Sequence, residues 1–365
     1  MYRRKAMKKL LFFALWIMTC SSLFAVEAFI IENPYQPDKN IEFFVKKPER
    51  AGSYPVIFLL HGYQPEENSS GGRQLVDYGY LDRFVEEGIV AVSISIPGFG
   101  RSNGERDFSG PESQKAVASV IEYVASLGCA DPTRMGIYGI SRGATLASLV
   151  PIYYPELTVL ILESGEYDVT NRRALLPEYL SGMRDNLLQE VGADDEDYIA
   201  RSALYNTSSI QSTTLLLHGE FDDRRGLPSA VALQAQLLQE GKECLLKIYP
   251  NEGHALFQEK WDAIIPFVRQ QFFNKYGIGI KITPPTPALQ ICKIHADSSA
   301  SKSGRLKVGD AILTISPNDD EEEIDVLGMP VKQVIRYLLG EKGSRVRLQV
   351  QHFDLTYENV LLERG

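Results

Sequence analysis

Arg134-Met135-Gly136-Ile137-Tyr138-Gly139-Ile140-Ser141-Arg142-Gly143-Ala144 passes from an apolar, strand-like run into a glycine-flanked serine. A segment of helical composition, Ala144 to Val150, then follows. Strand, sharp turn and helix in that order force the serine into a strained backbone conformation that lifts its hydroxyl clear of a sheet. Gly139 and Gly143 remove the side chains that would clash where strand and helix cross. Ser141 is therefore the candidate nucleophile.

The surrounding chain reads as alternating buried strands and amphipathic helices. Tyr54 to Leu60, Ile89 to Ile96, Thr158 to Leu162, Thr213 to Leu217 and Cys244 to Tyr249 are apolar runs of strand length, as expected for strands covered on both faces. Two shorter strands, Phe29 to Ile31 and Ile41 to Lys46, flank a proline-rich turn. Helical spacing is expected over 71–87, 111–127, 229–240 and 258–273. Such alternation predicts a parallel, doubly wound α/β sheet with helices on both faces. The interval 166–209 is too long for a plain connection, and its helical pieces (175–180, 183–191 and 195–204) predict an insertion over the carboxyl edge of the sheet. Asp194-Asp195-Glu196-Asp197 within it reads as a solvated helix start.

A serine hydroxyl needs a base, an orienting carboxylate and donors for the developing oxyanion. Leu217-His218-Gly219-Glu220-Phe221-Asp222-Asp223 places an acid after one buried strand, and Pro250-Asn251-Glu252-Gly253-His254 places an imidazole after the next. Of the five histidines, His254 alone combines a loop after a strand with a preceding glycine. Asp222 is preferred over Asp223 as its orienter. For the oxyanion the candidates are the backbone N–H groups of Arg142 and Tyr63, with Gly62 allowing close approach. The Tyr63 side chain is read either as part of this loop's surface or as core.

His61-Gly62-Tyr63, Pro97 to Ser102, Gly139 to Gly143, His218 to Asp223 and Glu252-Gly253-His254 together resemble an α/β-hydrolase of the prolyl oligopeptidase-like serine peptidase type. The resemblance covers about residues 40–275. It implies a Ser141, Asp222, His254 triad acting without metal or cofactor. Peptidases of this type usually carry a β-propeller, whereas no blade-like repeat is found here, and relatives without one include esterases. Ala144 stands where such enzymes often have a second glycine.

Length and composition bound the rest. The 365 residues, 44% hydrophobic and 23% charged, suit a folded chain with one domain of roughly 200–250 residues and a smaller one. A net charge of −9 with no basic cluster beyond the N-terminus argues against a nucleic-acid partner. Residues 1–28 read as an export signal: Arg3, Arg4, Lys5, Lys8 and Lys9 precede the apolar run Leu10 to Met18, with Ala25 or Ala28 as cleavage points. The expected destination is the periplasm or the exterior. An uncleaved anchor and a lipoprotein acylated at Cys20 are the minor readings, and no integral membrane partner is implied. After cleavage Cys129, Cys244 and Cys292 remain, too scattered for a disulfide framework or a zinc site, with Cys244 and Cys292 read as core.

Residues 276–365 follow the α/β region of 29–275. Tyr276-Gly277-Ile278-Gly279-Ile280-Lys281-Ile282 is a glycine-punctuated turn followed by a strand, and segments at 289–294, 303–315 and 345–351 with a helix at 331–339 follow it, which predicts a small partly open barrel of short strands around one helix. These segments resemble a PDZ domain of the kind found in exported carboxyl-terminal processing proteases. Gly277, Ile278, Gly279 and Ile280 match its carboxylate-binding loop, Leu306 to Asp310 the signature before the next strand, and Val326 to Met329 the helix lead-in. The resemblance implies capture of a polypeptide C-terminus by backbone N–H groups and a strand edge. Pro284-Pro285-Thr286-Pro287 is read as a turn inside this domain in preference to a linker, and Asp319 to Glu323 as an exposed acidic loop. The expected function is thus an exported serine hydrolase, a peptidase before an esterase that uses the PDZ-like domain for docking. A non-catalytic peptide-binding scaffold is the reading from another class.

Overall fold

A computed structural model describes residues 26–66, 69–170, 181–224, 226–273, 276–283, 289–318 and 322–365. The expected signal segment up to residue 25, with Cys20, lies outside the described residues. So do the helical piece expected at 175–180, the turn at 284–287 and residues 319–321 of the acidic loop.

One sheet of eight strands holds β1 (Glu27–Glu32), β2 (Asn40–Lys46), β3 (Tyr54–Leu60), β4 (Val90–Ile94), β5 (Ala130–Ile140), β6 (Val159–Glu163), β7 (Thr213–Gly219) and β8 (Cys244–Tyr249). Their spatial order is β1-β2-β4-β3-β5-β6-β7-β8. β1 and β2 are antiparallel to their neighbours, and from β4 to β8 every pairing is parallel. Parallel strands end at one edge, so the loops leaving β3, β5, β7 and β8 gather there.

The period of two sends alternate side chains of β3 to opposite faces. Val56, Phe58 and Leu60 pack with α3 (Pro111–Ala125), α4 (Arg142–Leu149) and α7 (Leu227–Gln239); Ile57 and Leu59 pack with α2 (Tyr80–Val85) and α8 (Trp261–Phe273). Each such fully buried side chain contributes about 1.5–3 kcal/mol relative to exposure. That double cover explains why β3, β4, β6 and β7 read as continuous apolar runs, whereas β8 corrects the expectation: it is an edge strand in which only Cys244 and Tyr249 are buried.

Between residues 71 and 87 the spacing predicts one helix, and the chain forms two, α1 (Arg73–Asp77) and α2. Gly79 separates them at φ +74°, a left-handed conformation that ends the first helix and re-aims the second. The insertion contributes α5 (Ser181–Val191) and α6 (Asp195–Ile199). Asp194 caps α6 through the Glu196 N–H at 3.1 Å, as a solvated acidic helix start should. Phe108, Val169, Leu187, Val191 and Tyr198 form a small apolar cluster where the insertion meets the sheet edge.

A second, antiparallel sheet has the order β14-β13-β11-β10-β9, with β12 on β11. Its strands are β9 (Ile280–Ile282), β10 (Leu289–Ile294), β11 (Ala311–Ser316), β12 (Ile324–Asp325), β13 (Arg345–Gln351) and β14 (Tyr357–Glu363). Two helices accompany them, α9 (Ser299–Ser303) and α10 (Val331–Leu338), where the sequence suggested one. β14 was not foreseen, because Val360-Leu361-Leu362 is an apolar run of only three residues between Glu358-Asn359 and Glu363, too short to mark a strand. Val360 and Leu362 point inward into an apolar core with Val346, Leu348 and Val334. The pairing of β9 with β10 puts strands of this sheet on both sides of the proline-rich segment. Cys244 is buried, and desolvation pushes its thiol up to about 12. Cys292 corrects the expectation of a core position: it sits on the outward-facing side of β10 and is exposed.

Candidate active site

Ser141 sits between β5 and α4 at φ 56° and ψ −120°, a region that only a well-determined surrounding maintains for a residue with a Cβ. The Ser141 N–H donates to the Glu163 carbonyl at 2.8 Å, so the next strand fixes the turn. The flanking glycines are a steric requirement. A Cβ on Gly139 would lie 2.1 Å from the Gly143 carbonyl oxygen, and one on Gly143 would lie 2.3 Å from the Leu60 carbonyl oxygen.

The loops after β7 and β8 bring the other two predicted side chains to this serine. His254 Nε2 lies 2.8 Å from Ser141 Oγ, and His254 Nδ1 lies 3.0 and 3.1 Å from the two oxygens of Asp222. Both loops are tied together by the backbone, with Phe221 N donating to the Glu252 carbonyl at 2.8 Å and Glu220 N to the Tyr249 carbonyl at 2.9 Å. The Asp222 side chain is fully enclosed, whereas Asp223 is exposed, which separates the two acids that the sequence offered.

Asp222 has a further partner that the sequence reading passed over. His218 Nε2 lies 2.7 Å from Asp222 Oδ2, and the Arg224 N–H donates to Oδ1 at 2.9 Å. Burial alone would raise the Asp222 carboxyl, but donors from His218 and His254 outweigh it and hold the group well below the usual carboxylate range. Residues 218–222 were read as a strand end with its acid. The four-residue spacing of His218 and Asp222 was the available signal.

His61, at the end of β3, is buried and its pKa is pushed by desolvation down to about 4, which keeps it neutral near pH 7. Its Nε2 accepts the Ile96 N–H at 3.1 Å, leaving Nδ1 as the protonated nitrogen, 2.7 Å from the Gly62 carbonyl oxygen. Because a trans peptide points its carbonyl and N–H in opposite directions, this bond turns the Tyr63 N–H away from His61. The loop is close: a Cβ on Gly62 would lie 3.4 Å from Ser141 Cβ. Arg142 N is the first N–H of α4, where no intrahelical acceptor exists. The two expected oxyanion donors thus come from segments that converge beside Ser141.

The Tyr63 side chain is exposed and its hydroxyl accepts from Asn186 Nδ2 at 3.1 Å, which decides against the core reading. Arg142 is buried, with Nη2 2.9 Å from Glu190 Oε2. Both contacts come from α5, so the insertion reaches the reactive edge. Ala144, in the position of the missing glycine, is fully buried against the sheet.

In the second sheet, Gly277 to Ile280 lead into β9, an edge strand. Gly279 adopts φ +79° and a Cβ there would meet Ser298 Cβ at 2.1 Å, while Ile278 is buried. Among the described residues no group of His, Cys, Asp and Glu is placed to hold a metal ion, and no helix is long and apolar enough to cross a membrane.

The model of the prolyl oligopeptidase family matches residues 85–276, a span that contains Ser141, Asp222 and His254. The uncharacterized peptidase YuxL of Bacillus subtilis is 24% identical over 223 residues, 56% of this chain and 31% of that protein. Among solved structures, an acylaminoacyl peptidase of Pyrococcus horikoshii matches with a TM-score of 0.57 at 20% identity, covering 69% of this chain and 42% of that one. A puromycin-hydrolyzing peptidase of Mycobacterium tuberculosis matches with a TM-score of 0.58 at 16% identity, covering 69% and 40%. The likeness to these structures is one of fold. The chain spans about a third of the length of the curated relatives it matches, 31% and 35%.

Proposed function

Because this chain belongs to the prolyl oligopeptidase family, we propose that it is an exported serine peptidase in which Ser141, His254 and Asp222 act as a triad. The observation that carries this reading is the unbroken line from Ser141 Oγ through His254 to Asp222, at 2.8 Å and 3.0 Å. His254 Nε2 takes the hydroxyl proton as Ser141 Oγ attacks the acyl carbon, and Asp222 holds the imidazole in the tautomer that leaves Nε2 free to accept. The N–H groups of Tyr63 and Arg142 receive the oxyanion. His254 then returns the proton to the departing amine, leaving an acyl-enzyme. Water, deprotonated by the same imidazole, releases the acid and restores Ser141.

The antiparallel unit of residues 276–365 is assigned to peptide docking. Its resemblance to a PDZ domain and the edge position of β9 support this role, since an edge strand offers unpaired backbone groups to an extended peptide. Export rests on the basic and apolar pattern of the first residues. Cleavage after Ala25 would leave β1 whole, whereas cleavage after Ala28 would remove its first two residues.

The test is labelling by a fluorophosphonate, followed by turnover of peptide amides beside short acyl esters. Labelling at Ser141 with amide cleavage is the expected result. Amide cleavage no faster than that of a Ser141→Ala control, with ester turnover intact, would leave an esterase. Absence of labelling would leave a binding protein. Removal of residues 276–365 is expected to slow processing of long polypeptides more than of short substrates; equal loss on both would assign the unit a purely structural role.

A further inference from the structure

Two guanidinium groups share one aromatic wall beside Ser141. The Arg142 guanidinium carbon lies 4.4 Å from the Phe108 ring centre and 5.1 Å from that of Tyr63. Arg106, in the loop between β4 and α3, lies 4.1 Å over the Phe99 ring and 5.8 Å from the same Tyr63 ring. Its Nε donates to the Gly98 carbonyl at 3.1 Å. The two rings meet edge to face, 6.3 Å apart. Stacking on them fixes the plane of the Arg106 guanidinium while leaving its remaining N–H groups as donors.

Among the described residues the charges at this wall do not balance. Arg142 is matched by Glu190, whose Oε2 also accepts the Phe108 N–H at 2.9 Å. Arg106 has no carboxylate within ion-pair distance among the described residues, although it is half-buried. Burial lowers the Arg142 pKa, Glu190 works against that, and the charge of Arg106 adds to the lowering. Among the described residues one carboxylate, paired with Arg142, thus stands against two cations that share the Tyr63 ring. Tyr63 follows the glycine that abuts Ser141, so the exposed end of the wall adjoins the place where a scissile bond would lie.

We propose that Arg106 is a specificity-determining residue that receives a carboxylate of the substrate, with Phe99 and Tyr63 as the platform that aims it. The carboxylate comes either from an acidic side chain next to the scissile bond or from a free peptide C-terminus. Either source presents the two oxygens that a guanidinium fork binds in parallel, and either supplies the charge that the wall lacks. This inference rests on the reading of Ser141 as the nucleophile.

The experiment measures kcat/KM for three peptides that differ only in one group: glutamate beside the scissile bond with an amidated end, glutamine there with an amidated end, and glutamine with a free carboxylate end. Wild type, Arg106→Gln and Arg106→Lys are compared, each titrated with a fluorophosphonate to count reactive Ser141. A carboxylate-bearing peptide is expected to exceed the neutral one on the order of tenfold in wild type. That ratio should fall to within about twofold in Arg106→Gln and be partly kept in Arg106→Lys, and the peptide that wins identifies the source. Equal rates in wild type, or a preference that survives Arg106→Gln, with Ser141 still labelled, overturns the subsite alone. Wild type that takes no label overturns the nucleophile assignment and the subsite with it.

Discussion

His218 and His254 approach the same oxygen of one carboxylate: His218 Nε2 lies 2.7 Å and His254 Nδ1 3.0 Å from Asp222 Oδ2. The second imidazole is fully buried and four residues before the acid. It turns a single orienting contact into a braced one, since the carboxylate cannot swing toward His254 without leaving His218.

His218→Ala should therefore reduce kcat/KM at pH 7 on the order of tenfold, with His218→Gln recovering part of the loss by restoring an N–H donor. The sign of the pH effect follows from Asp222. A carboxyl held low in the folded state contributes stability that is present above its unfolded value near 3.9 and lost as pH falls through the folded one. Loss of a donor raises the folded value. The variant should thus lose about 1.5–3 kcal/mol at pH 7 and much less near pH 1, where the carboxyl protonates even in the folded state, read by urea unfolding at the two pH values. An unchanged difference between the two would assign His218 to packing alone.

Ser141→Ala should lower amide turnover on the order of 10⁶-fold while the thermal midpoint stays within a few degrees of wild type. Burst kinetics and calorimetry on the same preparation check both halves. Turnover retained within an order of magnitude would place the nucleophile elsewhere.

Gly139→Ala should not yield soluble protein, because its methyl would lie 2.1 Å from the Gly143 carbonyl oxygen, backbone against backbone. Gly88→Ala is the control: nothing lies within 4 Å of a Cβ there, but its φ of +75° makes a modest loss of about 1 kcal/mol the expected outcome. Expression and circular dichroism compare the two.

Beneath the serine, Lys260 Nζ lies 2.8 and 3.0 Å from the oxygens of Glu163, with both side chains buried and the Tyr80 hydroxyl at 2.7 Å from Nζ. Tyr138 also bonds Glu163. Lys260→Met leaves that carboxylate buried without its cation and should cost about 3–5 kcal/mol; the double variant Glu163→Gln, Lys260→Met should regain most of it. Equilibrium unfolding in urea gives both values. Equal stability of the single and double variants would mean that the pair is not coupled.

Strand identity was legible wherever burial covers both faces, as in Tyr54 to Leu60, because nothing but continuous apolar sequence satisfies that environment. The elbow was legible because sterics leave glycine as the sole choice at 139 and 143. Positions that depend on chain crossings were not. Glu190 meets Arg142 across 48 positions of sequence (190 − 142), and no local pattern marks an acid on a short helix as the partner of a residue beside the nucleophile. Cys292 was misread because β10 alternates between buried and open sides, and an apolar run assigns no side. His218 was hidden by its place inside an apolar strand, where an imidazole reads as core until its acid is seen.

The helix α5 meets the reactive edge through the polar tips of Asn186 and Glu190, while Leu187 and Val191 settle into the separate cluster around Phe108 and Tyr198. Such a roof is modular. Evolution or a protein engineer could swap it as a cassette and reshape which chains gain entry, provided the replacement keeps an acid opposite Arg142. A cassette without one would strand a desolvated cation beside the nucleophile, and the hybrid would fail by electrostatics before its new contour was ever tried.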